Sequence, residues 1–247
     1  MRTNNRNFVL ELYWRFKRHK EAQRNRQKNT EEVFTEIYLT NKWGGSKGEF
    51  CSGMGSTDEQ IVSPYVSMVS EKARSEGFLG STFVDLGCGD FRVGKQLLPQ
   101  CSNYIGVDLV KPLISRNQEK YGNETTRFMN LNIVDDTLPE GDVCFIRQVL
   151  QHLSNQQIAT VLPKLKMYKW VFITEHYPTD NDGITPNKDK VHGCDVRVCY
   201  NSGVYFSEPP FELPRQTFSK VLEVPGSVGE RSDRGVIRTF LYKPSRD

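Results

Sequence analysis

Hydrophobic positions lay out the elements of this chain by changing their period along it. Over Glu31–Leu39 (EEVFTEIYL), Val33, Phe34, Ile37 and Tyr38 recur three to four residues apart, which is one face of a short helix. A second helical pattern runs from Asp58 to Glu76, with Thr57 or Asp58 as its N-cap. From residue 81 the pattern shifts to short, continuous apolar runs: STFVDL (81–86), YIGVDL (104–109), RFMNLNI (127–133), DVCFI (142–146) and KWVFIT (169–174). Such runs are strands covered on both faces. Helical patterns separate them: GCGDFRVGKQLLP, stopped at Pro99; KPLISRNQEKYG, with Pro112 near its first turn; and Leu150–Lys166, burying Ile158, Val161, Leu162 and Leu165, with Pro163 as a point of kinking or shortening. Strands alternating with helices of roughly ten to fifteen residues predict βαβ units and a parallel sheet. Two last runs, FSKVLEV (218–224) and GVIRTFLYK (235–243), are close enough to pair as a hairpin around a loop at 226–235. The expected fold is α/β: a mostly parallel seven-stranded sheet with an antiparallel final hairpin and helices on both faces.

Two segments break the alternation. Residues 41–56 (NKWGGSKGEFCSGMGS) hold five glycines, with Trp43 and Phe50 among them; this composition favours tight turns and close backbone approach at a functional loop. Residues 177–216 are rich in Pro, Gly, Asn and Asp and read as a long excursion with a few short strands, which a compact sheet tolerates at a functional edge. The expected organisation is an arm over 1–30 and one domain over 31–247. Within that domain, helices and a glycine-rich lid occupy 31–80 and the excursion occupies 177–216.

The 247 residues are 37% hydrophobic and 11% aromatic, enough for a real core and too many for wholesale disorder. No apolar run approaches the roughly 18 residues of a membrane span, and the opening MRTNNRNF lacks the apolar stretch of a signal peptide. Six cysteines in a chain of this length fit a reducing, cytoplasmic setting rather than a disulfide framework. The net charge of +3 is uneven. Residues 1–28 carry nine Lys/Arg and two acids, a net +7, and the remaining 24 cations and 28 acids give −4. Within this basic arm Phe8, Val9, Leu12, Tyr13 and Phe16 recur at helical spacing. Such a helix fits contact with nucleic acid, an anionic membrane surface or a polyanionic glycan. The plainer reading, and the favoured one, is a helix that docks its short apolar face on the body and leaves its charges solvated.

Candidate chemistry concentrates at Phe83-Val84-Asp85-Leu86-Gly87-Cys88-Gly89-Asp90-Phe91. A strand ends there in a glycine turn leading to a helix, where open parallel sheets bind ligands. The next strand ends at Asp108, 19 residues after Gly89, placed to accept hydrogen bonds from a ribose diol. A dinucleotide site wants G-x-G-x-x-G facing a pyrophosphate, but the third position is Arg92 and Asp85 fits poorly beside that anion. A cationic ligand fits better, and S-adenosylmethionine is positive at its sulfonium and its ammonium.

These residues resemble the motifs of class I S-adenosylmethionine-dependent methyltransferases. DLGCGDF (85–91) resembles their glycine motif, with Phe91 at the third-glycine position, and GVDL (106–109) their acidic ribose motif. NLNIVDDTLPEGDVCFIRQVLQHLS (130–154) resembles the stretch that contacts adenine and then presents the fourth strand to the substrate. The resemblance implies a Rossmann-like fold and S-adenosylmethionine as cofactor, with S-adenosylhomocysteine as product. It implies a cofactor site of Asp85, Gly87, Cys88, Gly89, Asp90, Phe91, Asp108, Leu109, Asn132, Ile133 and Arg147, with Asn132 where an acid is usual.

A narrower branch shares further segments. IYLTNKWGGSKGEFCSGMGST (37–57), FIRQVLQHLS (145–154) and GCDVRVCYNSGVYFSEPPFELP (193–214) resemble methyltransferases found among polysaccharide-synthesis proteins, with Gln148 where an Asp is usual. This implies an acceptor hydroxyl on a sugar of a glycan or sugar-nucleotide precursor. An alcohol must lose its proton during attack, and a positioned base contributes on the order of 10²–10⁴-fold. His152, just after the fourth strand, is the leading candidate; His176 and Glu175, just after the fifth, are the others, with Glu175 alternatively bonding sugar hydroxyls. Arg147 and Arg197 are candidates for an anionic group of the substrate, and Trp43, Phe206 and Phe211 for a sugar ring face, or else for the core. Nucleic acid or protein as acceptor, reached through residues 1–28, is the less favoured reading, and a non-catalytic binding module less so again. His192-x-Cys194-x4-Cys199 matches no standard zinc spacing, and Asp180-Asn181-Asp182-Gly183 is an incomplete calcium loop. No metal cofactor is expected; Glu175 with a loop aspartate is the pair a divalent ion would use.

Overall fold

A computed structural model of the chain describes the backbone of residues 3–179, 183–226 and 235–244, with side chains described from residue 12 onward within those ranges. The chain opens with α1 (Thr3–Asn25) and turns into α2 (Thr30–Leu39). The start of α2 is set by a reciprocal cap: Glu32 N donates to Asn29 Oδ1 at 2.8 Å and Asn29 N donates to Glu32 Oε2 at 2.9 Å. The glycine-rich segment then leads through the one-turn α3 (Met54–Thr57) to α4 (Glu59–Ser75), where Gln60 N donates to the Asp58 cap at 2.9 Å.

From there the chain alternates: β1 (Ser81–Leu86), α5 (Gly94–Leu97), β2 (Cys101–Asp108), α6 (Lys111–Tyr121), β3 (Thr126–Asn130), β4 (Val143–Arg147), α7 (Asn155–Lys164), β5 (Trp170–Pro178), β6 (Phe218–Pro225) and β7 (Gly235–Tyr242). The strands form one sheet in the order β3-β2-β1-β4-β5-β7-β6. β1 to β5 pair in parallel, and β7 runs antiparallel between β5 and β6. The order reverses between β1 and β4, which opens a crevice at the carboxyl ends of those strands.

Successive side chains of a strand point to opposite faces, and here the two faces differ in kind. Val84, Leu86, Ile105, Val107, Ile146, Val171 and Ile173 pack against α2, α6 and α7 through Ile37, Leu113, Ile158 and Val161. On the other face Phe83, Tyr104, Phe145, Trp170 and Phe172 pack against Tyr65 and Val69 of α4. Phe145 stacks on Phe172 at 5.4 Å and meets Phe83 edge-on at 5.0 Å.

Three segments depart from the sequence expectation. The helix expected after Gly87 shrinks to α5 and a 3-10 turn at Leu98–Gln100. Residues 87–91 wind instead through left-handed Gly87, Gly89 and Phe91, which buries the Phe91 ring against Tyr104, Tyr121 and Phe128. The helix expected over Leu150–Lys166 divides into a 3-10 turn (Leu150–His152), α7 and a second 3-10 turn (Leu165–Met167). The break occurs because Ser154 and Gln157 form their own capping box. In the excursion, no strand lies between Pro178 and Phe218 among the described residues. Buried polar side chains hold it instead. Asn187 Nδ2 donates to the carbonyls of Tyr205 (2.8 Å) and Pro209 (2.9 Å), and its Oδ1 accepts from Tyr205 N at 2.7 Å. Asp180, Asn181 and Asp182, and most of the 226–235 loop, lie outside the described residues.

The basic arm also reverses the favoured expectation. It docks through its polar C-terminal half. Lys42 pairs with Glu21 at 2.6 Å, Arg24 and Lys28 pair with Glu36 at 2.9 and 2.6 Å, and Asn25 Nδ2 donates to His192 O at 3.0 Å. Leu12, Tyr13 and Phe16 stay exposed; Phe8 and Val9 fall outside the described side chains.

Asn187→Ala leaves several buried carbonyls without donors, so it is expected to lower unfolding stability by about 2 kcal/mol. Urea denaturation reads the loss, and amide exchange should accelerate first in residues 183–213.

Candidate functional site

A cavity of about 1070 Å³ opens along the carboxyl edge of the parallel strands. One end is built by the turn after β1. Gly87 N and Cys88 N donate to Val107 O at 2.7 and 2.9 Å, which locks the turn to β2. Asp108, at the end of β2, accepts from Gly89 N at 3.2 Å and from Val110 N at 3.0 Å. From α6, the fully buried Asn117 donates to Gly89 O at 2.7 Å. Burial pushes the carboxyls of Asp108 and Asp85 up to about 6, and Asp85 also accepts a hydrogen bond from the Tyr104 hydroxyl.

The glycine-rich segment is bolted to this turn. Ser52 N donates to Asp90 Oδ2 at 3.1 Å, Asp90 N donates to Ser52 Oγ at 2.9 Å, and Tyr38 Oη lies 2.9 Å from Ser52 Oγ. Gly89 sits at φ +55°, and a Cβ there would overlap Ser52 Oγ; glycine is required both for the turn and for the close approach of the lid. Asp90 therefore holds the lid as well as lining the cavity. Leu109, Asn132 and Ile133 form the adjoining wall, where Asn132 closes its own turn by accepting from Val134 N at 3.0 Å and donating to Asp135 at 2.7 Å.

At the end of β4, Arg147 donates to Gly55 O at 2.6 Å and stacks over the Tyr65 ring at 5.0 Å. Its neighbour Gln148 is left-handed (φ +55°) and donates its N–H to Thr174 O at 2.6 Å. Arg147 Nε and Gln148 Nε2 are buried without an acceptor among the described residues, and both residues line the cavity.

The far end is formed by the 3-10 turn Leu150–His152, the lid and residues 194–199. His152 Nδ1 lies 3.1 Å from Gly193 O, a partner that can only accept, so the Nδ1 proton is fixed and the lone pair is on Nε2, which the Gln151 amide nitrogen approaches at a long 3.4 Å. Burial and the neighbouring Lys190 ammonium lower the His152 pKa to about 3, so the imidazole is neutral at physiological pH. The Trp43 ring lies 5.2 Å away and the Phe34 ring 6.3 Å. His176 lines the cavity too.

Glu175 does not. It is fully buried, and its two oxygens accept from Leu150 N at 2.9 Å and Gln151 N at 3.0 Å. It anchors the start of the turn that presents His152. Gln151 adds a second tie, accepting from His176 N at 3.1 Å. Arg197 is likewise fully buried, holding Lys188 O at 2.6 Å and Leu153 O at 2.8 Å behind the cavity wall. Phe91 lies beneath the turn, Phe211 packs on the aliphatic core, and Phe206 stacks on Phe218 at 5.2 Å. The structure thus brings Trp43, Asp85, Gly87, Cys88, Gly89, Asp90, Asp108, Leu109, Asn132, Ile133, Arg147, His152 and His176 onto one cavity and leaves Phe91, Glu175, Arg197 and Phe211 off it. Ser52, Tyr38, Asn117 and Gln151 join the site without having been singled out for it; Tyr38, Ser52 and Gln151 lie inside the segments 37–57 and 145–154, and Asn117 carries no such signal. No group of three or more His, Cys, Asp or Glu is placed to hold a metal ion among the described residues.

Residues 84–164 match the family model described as methyltransferase domain. No curated protein matches the chain. Among solved structures, the N-methyltransferase NodS from Bradyrhizobium japonicum, in complex with S-adenosylhomocysteine, is similar with a TM-score of 0.57 and 13% identity, covering 87% of this chain and 99% of its own. The 1,6-didemethyltoxoflavin-N1-methyltransferase of Burkholderia thailandensis has a TM-score of 0.57 and 16% identity, with 87% of each chain covered. The magnesium protoporphyrin IX methyltransferase of Synechocystis has a TM-score of 0.53 and 14% identity, covering 87% of this chain and 100% of its own. The shared feature is the Rossmann-like methyltransferase fold.

Buried neutral His152 links stability to pH. The unfolded histidine takes up a proton near its ordinary 6.5 and the folded one only near 3. Its contribution to stability is therefore intact above that upper value and lost as pH falls between the two. From about pH 7 to about pH 5 the wild type should lose about 2 kcal/mol more than His152→Asn, read by denaturant unfolding at both values.

Proposed function

We propose that this S-adenosylmethionine-dependent methyltransferase transfers its methyl group to a sugar hydroxyl of a glycan or glycan precursor, with His152 as the base. The observation that carries the reading is the single cavity, which joins the glycine turn after β1 at one end to a neutral imidazole beside Trp43 at the other. The first end fits the cofactor. Asp108 offers carboxylate oxygens for a ribose diol, Leu109 and Ile133 offer apolar surface for adenine, and Asp85 offers a negative charge for the cationic group. The orphaned donors of Arg147 and Gln148 suit a carboxylate. When bound, the cofactor supplies an electrophilic methyl group on a sulfonium.

The chain's own groups do the rest. The lid, fixed through Ser52 and Asp90, closes over the turn and keeps water from it. The Trp43 face and the 194–199 wall orient the acceptor. A hydroxyl facing His152 Nε2 becomes strongly acidic as its oxygen forms the new bond, so a weakly basic, neutral imidazole suffices to take the proton. The hydrogen bond from Nδ1 to Gly193 O then steadies the imidazolium. The segments at 37–57, 145–154 and 193–214, which resemble glycan-associated methyltransferases, support the sugar acceptor, because Trp43, His152, Cys194 and Cys199 of this end belong to them.

Saturating S-adenosylhomocysteine should raise the melting temperature, corresponding to about 2.7 kcal/mol at about 100 times Kd, and NAD should not. Labelled-methyl transfer against panels of glycans, sugar nucleotides, amines and RNA then reads the acceptor. Transfer confined to RNA or to amines would overturn the sugar reading. His152→Ala should keep the thermal shift and lose turnover by about 10²-fold or more, while full activity in that variant would remove His152 as the base.

A further inference from the structure

The basic arm takes no part in the cavity chemistry, and its surface differs from the rest of the molecule. Leu12, Tyr13, Trp14 and Phe16 are 46%, 56%, 47% and 58% exposed, four large apolar side chains within five residues. The other exposed large apolar side chains among the described residues, Leu39, Met54, Leu79 and Met167, are scattered singly. Scattered exposure is ordinary, whereas a cluster marks an interaction surface. Cations interleave the cluster. The Lys17 ammonium sits 4.9 Å from the Trp14 ring centre and that of Lys20 sits 4.7 Å from Phe16. Helical geometry places Leu12, Tyr13, Phe16 and Lys20 on one side and Trp14, Arg18, Glu21 and Asn25 on the other. That second side is committed to the body through Lys42, His192 O and the Tyr200 ring, which leaves Leu12 and Phe16 exposed beside an open cleft between the arm and residues 188–201.

We propose that the outer face of α1 binds an anionic phospholipid surface, with the aromatic rings at headgroup depth and the lysines and arginines on lipid phosphates. Aromatic and aliphatic side chains interleaved with cations are the composition of a helix lying in the membrane interface. The charge division points the same way: the arm holds +7 and the remainder −4, so an anionic bilayer attracts the arm and repels the body. Polyphosphate attraction alone would need only the cations; the contiguous exposed apolar cluster is what selects a bilayer. The docked half of α1 is bonded to the 192–200 segment, whose Cys194, Asp195 and Cys199 also line the cavity. A bilayer held by α1 therefore lies close to the acceptor wall. The inference does not depend on which acceptor is methylated.

Flotation of the full chain with phosphatidylcholine vesicles, with and without phosphatidylglycerol, tests it. Binding is expected only with phosphatidylglycerol, falling about tenfold between dilute buffer and about 0.5 M salt. The double variant Leu12→Ser/Phe16→Ser keeps the net charge and changes only exposed side chains; it should melt like the wild type and lose vesicle binding. Absence of wild-type flotation would overturn the proposal, and so would equal flotation of the double variant. Tighter binding to single-stranded RNA than to vesicles, or a dimer in solution that the double variant dissolves, would likewise assign the face to another occupant and overturn it.

Discussion

The site rests on one backbone constraint: the chain must leave β1 through a turn with three left-handed residues, held by bonds to surrounding segments. Gly87, Gly89 and Phe91 take positive φ values, a conformation that disfavours a Cβ. The surrounding structure over-determines it. Val107 O takes two of the turn's N–H groups, Asp108 takes a third, Asn117 supplies a donor to Gly89 O, and Ser52 pairs reciprocally with Asp90. Phe91 turns the one non-glycine strain of the turn into burial against three aromatic rings. The glycine turn, the segment over 41–56 and the packing of β2 on β1 therefore share one set of bonds. A change in any of them reaches the other two.

The second constraint sits across the switch point, in the 3-10 turn Leu150–His152. Glu175 provides acceptors for two N–H groups at the start of that turn, which would otherwise be orphaned in a buried place. The imidazole of His152 is then held from both ends, by its backbone through Glu175 and by Nδ1 through Gly193 O. Burial pushes the Glu175 carboxyl up to about 8, and the bonds to backbone N–H groups of the turn oppose that rise by favouring the charged form. An acid in this position acts by placing the turn that carries His152.

Much of the fold was legible in the sequence because both signals involved are local. The apolar runs that became β1 to β5 are continuous, as strands covered on both faces must be, and the acids at Asp85 and Asp108 mark strand ends. The errors are equally physical. Leu150–Lys166 has an unbroken helical period, yet Ser154 and Gln157 cap a new start inside it, and a cap outweighs a period over a single turn. Glu175 and Arg197 have the residue types and positions of a catalytic acid and an anion clamp. Both oxygens of Glu175 and one nitrogen of Arg197 are taken by backbone groups 24 to 44 residues away, pairings that no local pattern encodes. The same distance hides Ser52–Asp90, 38 residues apart. The arm was misread for a different reason: amphipathic period shows that a helix has two faces, and only the docked partners, Glu36, Lys42 and His192 O, decide which face is inward.

Charge ties these parts together. Asp85 and Asp108 sit buried with carboxyls raised to about 6, two groups whose ionised form is poorly solvated. A cation brought between them relieves that penalty, whereas a pyrophosphate would deepen it. Arg147, its pKa lowered by burial, lines the same cavity with its Nε lacking an acceptor among the described residues. The turn is thus electrostatically incomplete toward a ligand carrying both a positive centre and a carboxylate, and hydrophobic toward its flat end at Leu109 and Ile133.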